Sequence, residues 1–122
     1  MLPYEILQDD QLVILEPKGP LSEEDFRRLT EDVDRFLEQH PILKGLLIHT
    51  REFPGWEDLT GLISHLRFVR DHHRQITRVA LASDSRLAAI APKLVEHFVS
   101  AEIRSFEHEE KEEALKWLRQ ES

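Results

Sequence analysis

Histidine is the side chain whose charge changes nearest neutral pH, and this chain carries seven of them. A zinc-binding helix presents two imidazoles four residues apart so that both reach one ion. No two histidines here stand at that interval, and the neighbours His72 and His73 leave a helix in different directions. No metal is expected. His73 falls on the apolar stripe of its segment and reads as a hydrogen-bonded residue at the edge of a core. His49 differs in position, because it lies near the end of the apolar run Leu43 to Thr50, where ligands of an α/β protein commonly gather. Motifs for covalent or nucleotide chemistry are missing. There is no Gly-x-Ser-x-Gly and no Gly-x-Gly-x-x-Gly, and although Gly55 and Gly61 have nearly the Walker spacing, Leu62 stands where its lysine is required. These absences argue against an enzyme, and no cofactor is expected.

Two stretches have the residue types to bind rather than react. Phe53 and Trp56 flank Pro54-Gly55 just after Thr50 and could wall an apolar ligand, or simply close the core beneath a loop. Ser83-Asp84-Ser85-Arg86 follows a second apolar run; the amides of Ser85 and Arg86 could receive an anion at a helix start, or the stretch could be a helix cap alone. The candidate ligand-binding residues are therefore His49, Thr50, Phe53, Gly55, Trp56, Asp84 and Ser85.

The elements that must position them follow from periodicity. Tyr4 to Gln8 and Gln11 to Glu16 read as strands of an opening hairpin turned at Asp9-Asp10. Ser22, with Asp25 three residues on, starts a helix whose Phe26, Leu29, Val33, Phe36 and Leu37 form one stripe and which ends near His40-Pro41. Leu43 to Thr50 is short and apolar throughout, as suits a central strand covered on both faces. A second helix is expected from Asp58 to Gln75, with Leu59, Leu62, Ile63, Leu66, Val69 and His73 inward. Thr77 to Ser83 is a buried strand, Ser85 to Val99 a third helix that Pro92 kinks or restarts, Glu102 to Phe106 a last strand, and Glu109 to Gln120 a last helix with Ala114, Leu115, Trp117 and Leu118 inward. The order β-β-α-β-α-β-α-β-α predicts an α/β fold with a mixed, mostly parallel five-stranded sheet and right-handed crossovers. At 122 residues, 40% of them hydrophobic, one domain over 1–122 is expected.

Composition bounds the partners. A formal net charge of −8 works against nucleic acid, whose binding depends on lysine and arginine. Leu46 to Ile48 and Leu87 to Ala91 are far shorter than the roughly 20 apolar residues of a membrane span. The start Met1-Leu2-Pro3-Tyr4-Glu5 lacks a signal-peptide pattern and there is no cysteine, so cytoplasmic residence is expected.

The element order is that of STAS domains, and the local sequences resemble the SpoIIAA-like family of bacterial proteins. The likeness runs through Phe53-Pro54-Gly55-Trp56, Leu66-Arg67-Phe68, Arg78 to Asp84, Ala101-Glu102-Ile103-Arg104-Ser105-Phe106 and Glu113 to Leu118, nearly the whole chain. It implies an STAS-like fold, shared more remotely with lipid-binding CRAL-TRIO domains, and a binding or regulatory role. Asp58-Leu59-Thr60-Gly61-Leu62 looks similar to the phospho-acceptor motif of STAS-type anti-sigma-factor antagonists, which would make Thr60 the acceptor of a phospho-regulated switch. Here Thr50 takes the place of that motif's strand-end aspartate, and Leu59 that of its first serine.

Association is the remaining expectation. Phe68, between His65 and His72 and opposite the apolar stripe of its helix, would be exposed in a monomer, and the third helix has more apolar residues than one stripe needs, so a homodimer is expected with Phe68 in its interface. Arg67, Arg70 and Arg74 make a positive strip on the same helix. Taken together, the sequence predicts a non-enzymatic module that recognises a protein partner or a small apolar or anionic ligand.

Overall fold

The computed structural model describes residues 1–84 and 101–120. The expected third helix, the Pro92 kink and the ligand role of Ser85 lie outside the described residues. The hairpin forms from β1 (Tyr4–Leu7) and β2 (Leu12–Leu15), paired antiparallel from Tyr4 with Leu15 to Leu7 with Leu12. Gln11, at φ 57°, supplies the left-handed turn residue. α1 (Glu23–Gln39) starts on the expected capping box: the Ser22 hydroxyl accepts from the Asp25 amide, and the Asp25 carboxylate accepts from the Ser22 amide. Phe26, Leu29, Val33 and Phe36 are its buried stripe.

β3 (Leu43–His49) pairs parallel with β2 on one side and with β4 (Ile76–Ser83) on the other; β4 pairs parallel with β5 (Glu102–Glu107). The order β1-β2-β3-β4-β5 leaves the apolar run 43–49 in the middle, as its two-sided hydrophobicity requires. Alternate side chains divide the core. Val13, Leu15, Leu46 and Val79 meet α1 and α2 (Leu59–His72) on one face, and Leu12, Ile14, Leu47, Ala80 and Ala82 meet α3 (Lys111–Arg119) on the other. Ala114, Leu115, Trp117 and Leu118 are the buried side of α3, as the pattern predicts. A 3-10 turn, His108–Glu110, joins β5 to α3.

The rotation of α2 overturns its reading from periodicity. Phe68 is 7% exposed and packs in the core, while Leu59, Ile63 and Leu66, expected inward, are 69%, 45% and 55% exposed. Gly61 and His72 join Phe68 on the inner side, a stripe about 130° around the helix from the aliphatic one at roughly 100° per residue. Specific contacts fix this rotation. A Cβ on Gly61 would lie 2.5 Å from the Leu21 carbonyl oxygen, so the helix approaches that backbone as only glycine allows. The His65 ring stacks on Phe26 at 5.0 Å, and Phe68 meets Phe26 at 6.4 Å. His72, rather than His73, is the buried histidine. Its Nδ1 faces the Phe68 carbonyl at 2.8 Å and its Nε2 the Asp34 carboxylate at 2.7 Å, which ties α2 to α1. The half-buried His73 instead keeps an Nδ1 without a hydrogen-bond partner.

Candidate functional site

The carboxyl ends of β2, β3, β4 and β5 form one rim, where open parallel sheets place their ligands. Loop backbones interlock there. Thr50 donates its amide to Ala82 at 3.1 Å and its hydroxyl to Glu52 at 3.0 Å, and Asp84 donates its amide to Arg51 at 3.1 Å. Thr50 is buried, so its hydroxyl holds the loop in shape. Beyond it the chain passes along Leu21, whose amide donates to Gly55 and whose carbonyl accepts from Glu57, both at 2.8 Å. Gly55 sits at φ +81°, where a side chain would be strained, and so lets the Pro54-Gly55 turn bring Trp56 back toward α2.

Phe53 and Trp56 meet edge to face at 5.0 Å, Phe53 half-buried against the core and Trp56 38% exposed. Trp56 donates its indole N–H to His65 Nδ1 at 3.1 Å. His65 therefore accepts at Nδ1, and burial pushes its imidazole below the ordinary 6.5, which favours the neutral ring that this bond needs. A group with a depressed folded pKa adds stability that is complete above its unfolded value and lost as pH falls through the folded one. Trp56 fluorescence is accordingly expected to change with a midpoint below 6.5 and to lose that transition in His65→Gln, which can still accept the bond without titrating there. A transition unaltered in this variant would contradict the assignment.

His49 lies at the middle of the rim. Its Nδ1 faces Glu16 Oε2 and its Nε2 the His108 carbonyl, each at 3.0 Å, and its ring stacks on that of His108 at 4.3 Å. The hydrogen bond from His49, helped by the Lys111 charge, holds the Glu16 carboxyl below its ordinary 4.5. Glu16 is thus an acceptor at neutral pH, and the two bonds of His49 are complete only when its ring is doubly protonated. Neither nitrogen is left over to serve as a base. Two clefts open beside this group. One, of about 440 Å³, reaches from Pro17 and Lys18 across His49 to Pro54; the other, of about 490 Å³, lies between Asp84 and the Glu107 to Glu110 stretch, and Arg51 and His108 border both.

The structure thus gathers His49, Thr50 and Asp84 around the clefts and sets Phe53, Gly55 and Trp56 beside them, against α2. Thr60 is exposed in the first turn of α2, where the Asp58 carboxylate already accepts from the Gly61 amide. Phe68 is no surface residue, as its burial shows. Glu16, Lys18, Arg51, His65 and His108 belong to the rim without any motif marking them. The partners of His49 lie 33 and 59 residues away, distances that only the strand order closes.

A family model described as SpoIIAA-like matches residues 12–119. The solved structure of an uncharacterized protein of the DUF3478 family with a SpoIIAA-like fold, from Shewanella loihica PV-4, is 27% identical and superposes with a TM-score of 0.74; the likeness covers 97% of this chain and 92% of that one. Among curated proteins none matches.

Proposed function

This chain belongs to the SpoIIAA-like family, and from that premise we propose that it is a non-enzymatic binding module, working in the cytoplasm, which recognises a partner protein or a small, partly apolar ligand at the Thr50 to Trp56 rim. What supports this reading is the set of large apolar side chains left exposed on this side of the molecule, Trp56 in the loop and Leu59, Ile63 and Leu66 on one face of α2, together with a rim histidine, His49, whose two nitrogens are both engaged. Large apolar side chains grouped on a surface mark interaction sites.

A second copy of the chain suits the helical part of that surface, and the module is read as a homodimer. α2 is preceded by Glu57 and Asp58 and carries Arg67 and Arg70 in its second half. Two such helices docked antiparallel across a twofold axis bring unlike charges together around Leu59, Ile63 and Leu66. The interface expected of Phe68 thereby passes to its exposed neighbours. Light scattering at micromolar concentration should give a dimer for the wild type and a folded monomer for Leu66→Glu; a wild type already monomeric would refute the dimer. The switch reading through Thr60 has the exposure of that hydroxyl in its favour, but Asp58 already occupies the positive helix end that a phosphate would seek.

A further inference from the structure

Lys18 follows β2, Arg51 follows β3 and His108 follows β5, and all three border the 440 Å³ cleft. We propose that this cleft binds a phosphate-type oxyanion, free or as the phosphate of a small ligand, through Lys18, Arg51 and His108. Lys18 is exposed and makes no ion pair among the described residues. Among the described residues Arg51 pairs only with the Glu109 carboxylate, at 3.7 Å, both side chains largely in water, a contact that contributes little. The His108 ring lies flat on His49 and makes no hydrogen bond among the described residues. Two carboxylates among the described residues share the cleft. Glu16 is engaged by His49 and lies 3.8 Å from Lys111, and Glu52 is exposed. With Glu16 taken up by His49 and Lys111, Lys18 and Arg51 face one further carboxylate in the cleft, Glu52, in a chain whose formal net charge is −8. Partial burial, then the charges of His49 and Arg51, and after these that of Lys18, hold the His108 imidazole below 6.5. These groups act on the same point in space, and an arriving anion reverses their push.

The inference rests on the rim as the binding end of the molecule and adds the ligand's chemical class. Its test follows the His108 imidazole by NMR during titration with inorganic phosphate, against chloride at matched ionic strength. The expected result is a saturable shift with a raised His108 pKa, at least tenfold weaker binding in Lys18→Ala and in Arg51→Ala, and unmoved His72 signals, which report that the fold is intact. Phenyl phosphate binding more tightly than phosphate would identify a phosphate ester as the natural form, and equal binding the free ion. No saturation, or both variants binding like the wild type, overturns the proposal. Trp56→Ala should leave phosphate binding unchanged while removing recognition at the aromatic loop, so failure of one reading is separable from failure of the other.

Discussion

Gly61→Val is expected to destabilise the protein by about 3 kcal/mol, the upper end of what overpacking usually costs. Helix propensity alone predicts the opposite sign, since replacing a helical glycine by alanine stabilises by about 1 kcal/mol. Geometry decides between them. The new Cβ would stand 2.5 Å from the Leu21 carbonyl oxygen, a backbone atom fixed by its hydrogen bond from Glu57, so α2 itself must move. Moving it would strain the Trp56–His65 bond and the His72–Asp34 bond together. Urea unfolding with far-UV circular dichroism measures the loss, and Gly61→Ala should fall between wild type and valine. A valine variant as stable as the wild type would show that α2 does not pack this closely.

Trp117→Ala is expected to cost about 4 kcal/mol, within the range for truncating a buried tryptophan. Its ring is buried in the core beneath α3, 5.9 Å from the ring of Phe106, with the Arg78 guanidinium 5.0 Å and that of Arg104 5.9 Å from its centre. Truncation opens a cavity and strips the Arg78 guanidinium of its aromatic partner, while Arg104 keeps Phe106 at 5.0 Å. α3 begins directly after the His108–Glu110 turn, so the same change should loosen the stack of His108 on His49. Urea unfolding reads the first effect and the imidazole NMR signals of His49 and His108 the second. A loss below 1 kcal/mol would mean that α3 contributes little to holding this face of the sheet.

How far such a structure can be read from its sequence depends on whether the determining contacts are local. The Ser22 capping box, the α1 stripe and the central place of residues 43–49 depend on periods and caps within a few residues, and all three were legible. α2 was misread because aliphatic side chains outnumber the glycine, the aromatic and the histidines that turn it inward; a count of apolar residues weighs Leu59 and Leu66 above Gly61 and His72. A signal existed in the spacing Gly61, His65, Phe68, His72, which is helical too. The rim was legible in part. His49 and the Phe53 to Trp56 loop announce themselves at a strand end, whereas Glu16, Lys18 and His108 meet only once the parallel order of β2, β3 and β5 is known. No local pattern carries that order.

The most direct measurement is native mass spectrometry of freshly purified wild type beside Trp56→Ala. If the aromatic rim is where the module recognises its partner, the wild type should carry a bound small molecule or protein that the variant has lost, while both keep the same far-UV spectrum. Identical spectra of bound species for the two proteins, or a wild type that appears only as the bare single chain, would contradict it.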